Sequence, residues 1–174
     1  MRSTKSALLV LVVALAGSWG VASAEPADTP QPPASATALL TLTTIPSGWS
    51  ERVDLRPLLQ IYADGRAVQQ PDAASTTRAA DVPPQRLSGT IPVDVLNAAL
   101  AETKSLAALD LGMPSATDEG TQIIDLMPTP PDQDVHLLMY APDATENLTP
   151  DQQANRKRFT DLYRKLLDAF TKDH

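Results

Sequence analysis

Cysteine is missing from the 174-residue chain. That single absence removes disulfides, thiolate catalysis, thiolate metal sites and a lipid-modified N-terminal cysteine together. Aromatic residues amount to 4% of the sequence, so the core has to be assembled from Leu, Val, Ile and Ala. There are two histidines, His136 and the terminal His174. No G-x-S-x-G elbow, H-E-x-x-H helix, Gly-rich phosphate loop or Walker lysine occurs, which argues against most hydrolase and cofactor chemistry. The expectation is therefore no cofactor and no metal. Asp132 and Asp134 form a D-x-D pair, but the spacing and terminal glutamate of a calcium loop are absent, and aspartate is an ordinary turn residue.

Positive charge is also scarce. Fourteen Lys and Arg stand against 21 Asp and Glu, a net charge of -7, and a surface of that sign repels nucleic acid and anionic lipid. Nucleic acid is therefore not expected as a partner, whereas a protein partner or a component of the cell envelope is compatible with it.

The N-terminus carries the strongest pattern in the chain. Arg2 and Lys5 precede an apolar run from Ala7 to Gly17, and Ala22, Ser23 and Ala24 follow in an A-x-A arrangement. These are the three regions of a secretory signal peptide, here residues 1–24, and the run is too short for a membrane anchor. Loss of Arg2 and Lys5 with it leaves the remainder more acidic still. No transmembrane segment follows, so a secreted or extracytoplasmic location is expected. Residues 25–37 hold four prolines and no large apolar side chain, the composition of a disordered leader. The remainder, 38–174, is long enough for a single domain with one core.

Within that domain the densest apolar runs are Ile123 to Met127 and Val135 to Tyr140, joined by a segment with three prolines. They read as a hairpin with a broad turn. Cross-strand partners share a face, so setting Ile124 and Leu126 beside Leu137 and Val135 makes one apolar face and places Asp125 opposite His136 on the other. Leu39 to Ile45 alternates Leu with Thr and stops at Pro46, which suits an edge strand. Leu58 to Gln70 reads as a hairpin turning at Asp64-Gly65 through a two-residue turn, with Ile61 facing Val68, and Leu59, Ile61 and Val68 buried. The segment 71–84, rich in small and polar residues, is expected to be mobile. A helix is expected from Pro92 to about Leu111, with Gly112 past its end. A second opens at Thr149-Pro150-Asp151-Gln152, an N-cap with its capping box, and buries Phe159, Leu162, Tyr163, Leu166 and Phe170. Arg156, Lys157, Arg158, Arg164 and Lys165 make it the basic patch of an acidic chain, expected to be solvated. The order is β-ββ-α-ββ-α: an α+β domain with an antiparallel sheet of about five strands and two helices packed on one face.

The blocks IYADGRAV, LSGTIPVDVLNAALAE, TDEGTQIIDL and LTPDQQANRKRFTDLYRKLLD resemble exported actinobacterial proteins of unknown function over residues 58–170. The resemblance implies secretion and this fold, and it transfers no catalytic residue.

For function, Trp49 with Arg52 and Arg56 in the loop after the first strand has the composition of a binding anchor, and folding back as a lid on the core is the other reading of that Trp. Asp125 and His136 are expected to be a structural pair. The leading expectation is a secreted, non-catalytic binding or inhibitor-like module. A small carboxylate-dependent hydrolase using Asp118, Glu119 and Asp125, or a structural envelope component, are the alternatives.

Overall fold

The computed structural model describes residues 37–49 and 52–174. The expected signal peptide, and the expected leader except Thr37, lie outside the described residues.

Strand β1 (Leu40–Ile45) alternates Leu and Thr so that Leu40 and Leu42 enter the core while Thr41 and Thr43 turn to the opposite face. It does not lie at the edge as expected. It pairs antiparallel with β5 (Thr121–Leu126) on one side and with β2 (Leu59–Ile61) on the other. Alternation reports one buried face and says nothing about how many neighbours a strand has, which is why the pattern misleads here.

The hairpin of β2 and β3 (Arg66–Gln69) also departs from expectation by one residue. Leu59 pairs with Gln69 and Ile61 with Ala67, so Val68 falls on the face opposite Leu59 and Ile61. The loop holds three residues, because Tyr62 and Arg66 close it, with the Tyr62 N–H donating to the Arg66 carbonyl at 2.9 Å. Asp64 explains the extra residue. Its carboxylate accepts the Arg66 N–H at 3.1 Å and the Arg66 Nε at 2.6 Å, while Gly65 takes φ +83°, the left-handed position that a three-residue hairpin assigns to glycine.

Two strands escape the sequence pattern entirely: β4 (Leu87–Thr90), paired with β3, and β7 (Thr171–Lys172), paired with β4. With β6 (Val135–Tyr140) the sheet has, among the described residues, seven strands, not about five, in the order β6-β5-β1-β2-β3-β4-β7.

Helix α1 (Val93–Leu106) stops five residues before the expected end. From Ala108 on, backbone N–H groups reach carbonyls three residues back, at Ser105 and Leu106. The next carbonyls, of Asp110 and Leu111, accept Asn155 Nδ2 at 3.0 Å and Arg156 Nη1 at 3.3 Å. Tertiary donors thus replace the helical ones. Helix α2 (Pro150–Asp168) starts as expected, with Thr149 Oγ1 accepting the Gln152 N–H at 3.2 Å and Gln152 Oε1 accepting the Thr149 N–H at 2.9 Å.

Both helices join one apolar cluster with a single face of the sheet: Leu96, Ala99 and Leu106 from α1, and Phe159, Leu162, Tyr163 and Leu166 from α2, with Leu40, Leu42, Ile61, Ile124, Leu126, Leu137 and Met139. Phe170, expected among the core positions of α2, follows the helix and is half-buried. The α+β class with two helices against an antiparallel sheet therefore stands, with two additional strands.

Candidate functional site

The face of the sheet away from the helices carries the pair of Asp125 and His136. Ala141 donates its N–H to Gly120 at 2.9 Å, so in β6 the odd-numbered residues bond β5 and the even-numbered ones point their backbone groups outward. Asp125 and His136 then form a non-hydrogen-bonded pair, the closer of the two antiparallel pair types. Their side chains meet, with His136 Nδ1 on Asp125 Oδ1. The other carboxylate oxygen accepts Thr41 Oγ1 at 3.4 Å from β1. The row continues to Gln60 and Val68. The expected register of β5 and β6 is therefore the observed one. His136 is 61% exposed, and a pair this open contributes on the order of 0.2–1 kcal/mol.

The open face is not uniform. Val68, in the same row, is 1% exposed, whereas Leu138 on β6 is 47% exposed beside half-buried Ile123 and Tyr140. The face is closed over at β3 and open at β5 and β6. Strand β6 is also the end of the sheet among the described residues. Of its outward carbonyls, that of Tyr140 is taken by Arg156 Nη2 at 2.8 Å, leaving those of His136 and Leu138 facing away from β5 without a strand partner among the described residues.

Trp49 sits elsewhere, 6% exposed, with the Arg52 guanidinium 4.3 Å from its ring centroid. That placement favours the lid reading, because a side chain already withdrawn from water offers a partner little further area. Arg52 is itself engaged. Its Nε and Nη2 each reach the Asp54 carboxylate at 2.6 Å, and its Nη1 donates to the Arg78 carbonyl at 3.0 Å. Arg78, only 8% exposed, donates to Asp54 Oδ2 at 2.9 Å and to the carbonyls of Asp72, Ala73 and Val82. The 71–84 segment, expected to be mobile, is thus wrapped around one arginine. The Arg52 hydrogen bonds, with Arg78 adding to them against the opposing effect of burial, hold the Asp54 carboxyl well below the usual carboxylate range. The same contact raises Arg52 above its ordinary value. Arg56, the third residue expected in this group, donates to the Leu55 carbonyl at 2.9 Å and joins neither Trp49 nor Asp54.

The sequence reading missed Asp54 and Arg78. The signal for Asp54 was present, since Arg52-Val53-Asp54 places a carboxylate two residues from a guanidinium, while nothing local marks Arg78.

The carboxylates considered for hydrolysis do not assemble. Asp118 Oδ1 accepts the Gly48 N–H at 3.1 Å, and Glu119 adjoins it, both before Thr121 at one end of β5. Asp125 lies four strand positions further on, roughly 13 Å at 3.3 Å per residue. An inverting pair stands about 6.5–9.5 Å apart and a retaining pair about 5–5.5 Å. Asp132 pairs with Lys104 at 3.0 Å, and among the described residues no three acidic, histidine or cysteine side chains gather to hold a metal ion. No described helix is long and apolar enough to cross a membrane. Comparison with known protein families, with curated proteins and with solved structures found no match to this chain.

Proposed function

We propose that the chain is an exported, non-catalytic binding module that recognises an extended segment of a partner protein at β6. Leu138 carries the reading. It is 47% exposed on the face away from the helices, on the end strand of the sheet, next to His136. An added strand would bond the outward backbone groups of His136 and Leu138, and those two side chains would select its sequence, the division of labour in strand-addition complexes. The acidic net charge disfavours nucleic acid as the partner. Binding is preferred to hydrolysis because Asp125 is committed to His136 and Thr41 and stands far from Asp118 and Glu119. Export rests on the signal-peptide pattern of residues 1–24.

The test is capture of a partner from the envelope and culture fluid of the producing organism, followed by titration against the wild-type protein and Leu138→Glu. The variant should fold with unchanged thermal stability, since Leu138 lies outside the core, and should lose about 2 kcal/mol of affinity, the size of a hot-spot effect. A partner that binds the variant equally well, or a small molecule that the protein turns over, would reject the proposal.

A further inference from the structure

Helix α2 has one side that neither the sheet nor α1 uses. Lys157, Thr160 and Arg164 stand at successive turns along it, and with Pro142 and Leu148 of the 141–149 segment they line a cleft of about 340 Å³. The wall from 141–149 is mostly apolar, with Pro142, Ala144 and Leu148 beside Thr145. The helix wall carries hydrogen-bond donors, with Lys157, Thr160 and Arg164 brought to one face by their spacings of three and four residues.

Arg156 lines the same cleft and is 4% exposed. Its assigned partners are all backbone carbonyls, at Leu111, Tyr140 and Ala141, and among the described residues no carboxylate forms an ion pair with it. Burial alone pushes its guanidinium below the ordinary value, with no neighbouring carboxylate acting against that shift. A buried charge normally comes with a counter-charge, because desolvation is costly and carbonyl dipoles offset only part of it. Asp161 also borders the cleft, but it is bound to Lys157 at 2.5 Å. Arg158, the neighbouring cation of the helix, points the other way to Glu102 at 2.8 Å. The lining therefore has an excess of positive charge on a chain whose net charge is -7.

We propose that this cleft binds a small amphipathic carboxylate, its acid group between Arg156 and Arg164 and its apolar body against Pro142 and Leu148. The volume suits a small ligand rather than a protein segment, since pockets for such molecules run from about 300 to 1,000 Å³. This site is separate from the β6 edge and goes beyond the strand-addition reading, so either can fail without the other.

Octanoate is the probe, titrated into the intact protein by ¹H–¹⁵N NMR. Octanol serves as the uncharged control and inorganic phosphate as the anion without an apolar body. Saturable shifts should appear on residues 142–148 and along the Gln153 to Arg164 side of α2, with octanol and phosphate each binding at least about tenfold more weakly. Arg164→Ala removes an exposed side chain and should leave the fold intact while weakening octanoate about tenfold. Arg156 is unsuitable for this test because it also holds three backbone carbonyls.

Absence of saturation, or shifts confined to other surfaces, would overturn the proposal. Phosphate binding as tightly as octanoate would reduce the site to a plain anion site, and octanol doing so would remove any role for the cations; either outcome rejects the amphipathic assignment. Unchanged affinity in Arg164→Ala would do the same. A short peptide with a free C-terminal carboxylate that binds more tightly than octanoate would assign the cleft to peptide termini instead and overturn the small-molecule class.

Discussion

The carboxylate of Asp54 receives Arg52 and Arg78 together, and each cation reaches a different stretch of chain: Arg52 lies over Trp49, while Arg78 gathers the carbonyls of 72–82. Folding lowers the Asp54 pKa, so the folded state binds this proton more weakly than the unfolded chain does. The resulting stabilisation is complete above the unfolded carboxylate value of about 3.9 and disappears as pH falls through the folded value. Asp54→Asn should therefore be less stable than wild type at neutral pH, and the two should converge in strong acid. Parallel urea unfolding across that range measures it. A constant difference down to the most acidic conditions would show that the carboxylate's charge is not what joins the two segments.

At the scale of elements, β7 depends on one position in β4. A Cβ built on Gly89 would lie 2.3 Å from the Thr171 carbonyl oxygen and 2.6 Å from the Phe170 ring. The first contact is backbone, so a rotamer change cannot relieve it. Gly89→Ala should detach β7 and lower stability by about 1–3 kcal/mol, the usual range for overpacking, with resonances of Thr171 and Lys172 reporting the loss. Neither strand was legible beforehand. Leu87 to Thr90 and Thr171 to Lys172 are too short to alternate, and they become strands only because β3 offers an edge and Gly89 lets Phe170 approach. The register of β5 and β6 was legible to the residue, because a one-position slip would have put Asp125 among apolar side chains. The cap of α2 was legible because its signal is local. The β2 and β3 register was not, because Asp64-Gly65 serves a two-residue turn and a three-residue turn equally, and the choice was made by the Asp64 carboxylate reaching Arg66.

Across the whole molecule, hydrogen-bonding partners decline from the centre of the sheet to its ends. Strand β1 is paired on both sides, whereas β6 and β7 are each paired on one. Amide exchange should follow that order. Leu40 and Leu42 should exchange only through global unfolding, while the outward amides of His136 and Leu138 should exchange without it. Protection of those two amides in the isolated protein would contradict the orientation given to β6. Of the candidate sites, the Asp125 and His136 pair could be read from the sequence, since strand parity sets it. The cleft along α2 could not, because the basic run from Arg156 to Lys165 looks like a solvated face until Arg156 is seen turned inward.

The position of β1 also bears on how the molecule comes to exist. Thr41 contacts Asp125 across a separation of 84 residues, so β1, an interior strand and the first of the described strands to be synthesised, acquires its β5 flank only after most of the chain has followed. Loops that long close slowly. A nascent chain emerging in order can therefore pair β1 with β2, β2 with β3 and β3 with β4 early, while the other flank of β1 stays open until Thr121–Leu126 has followed.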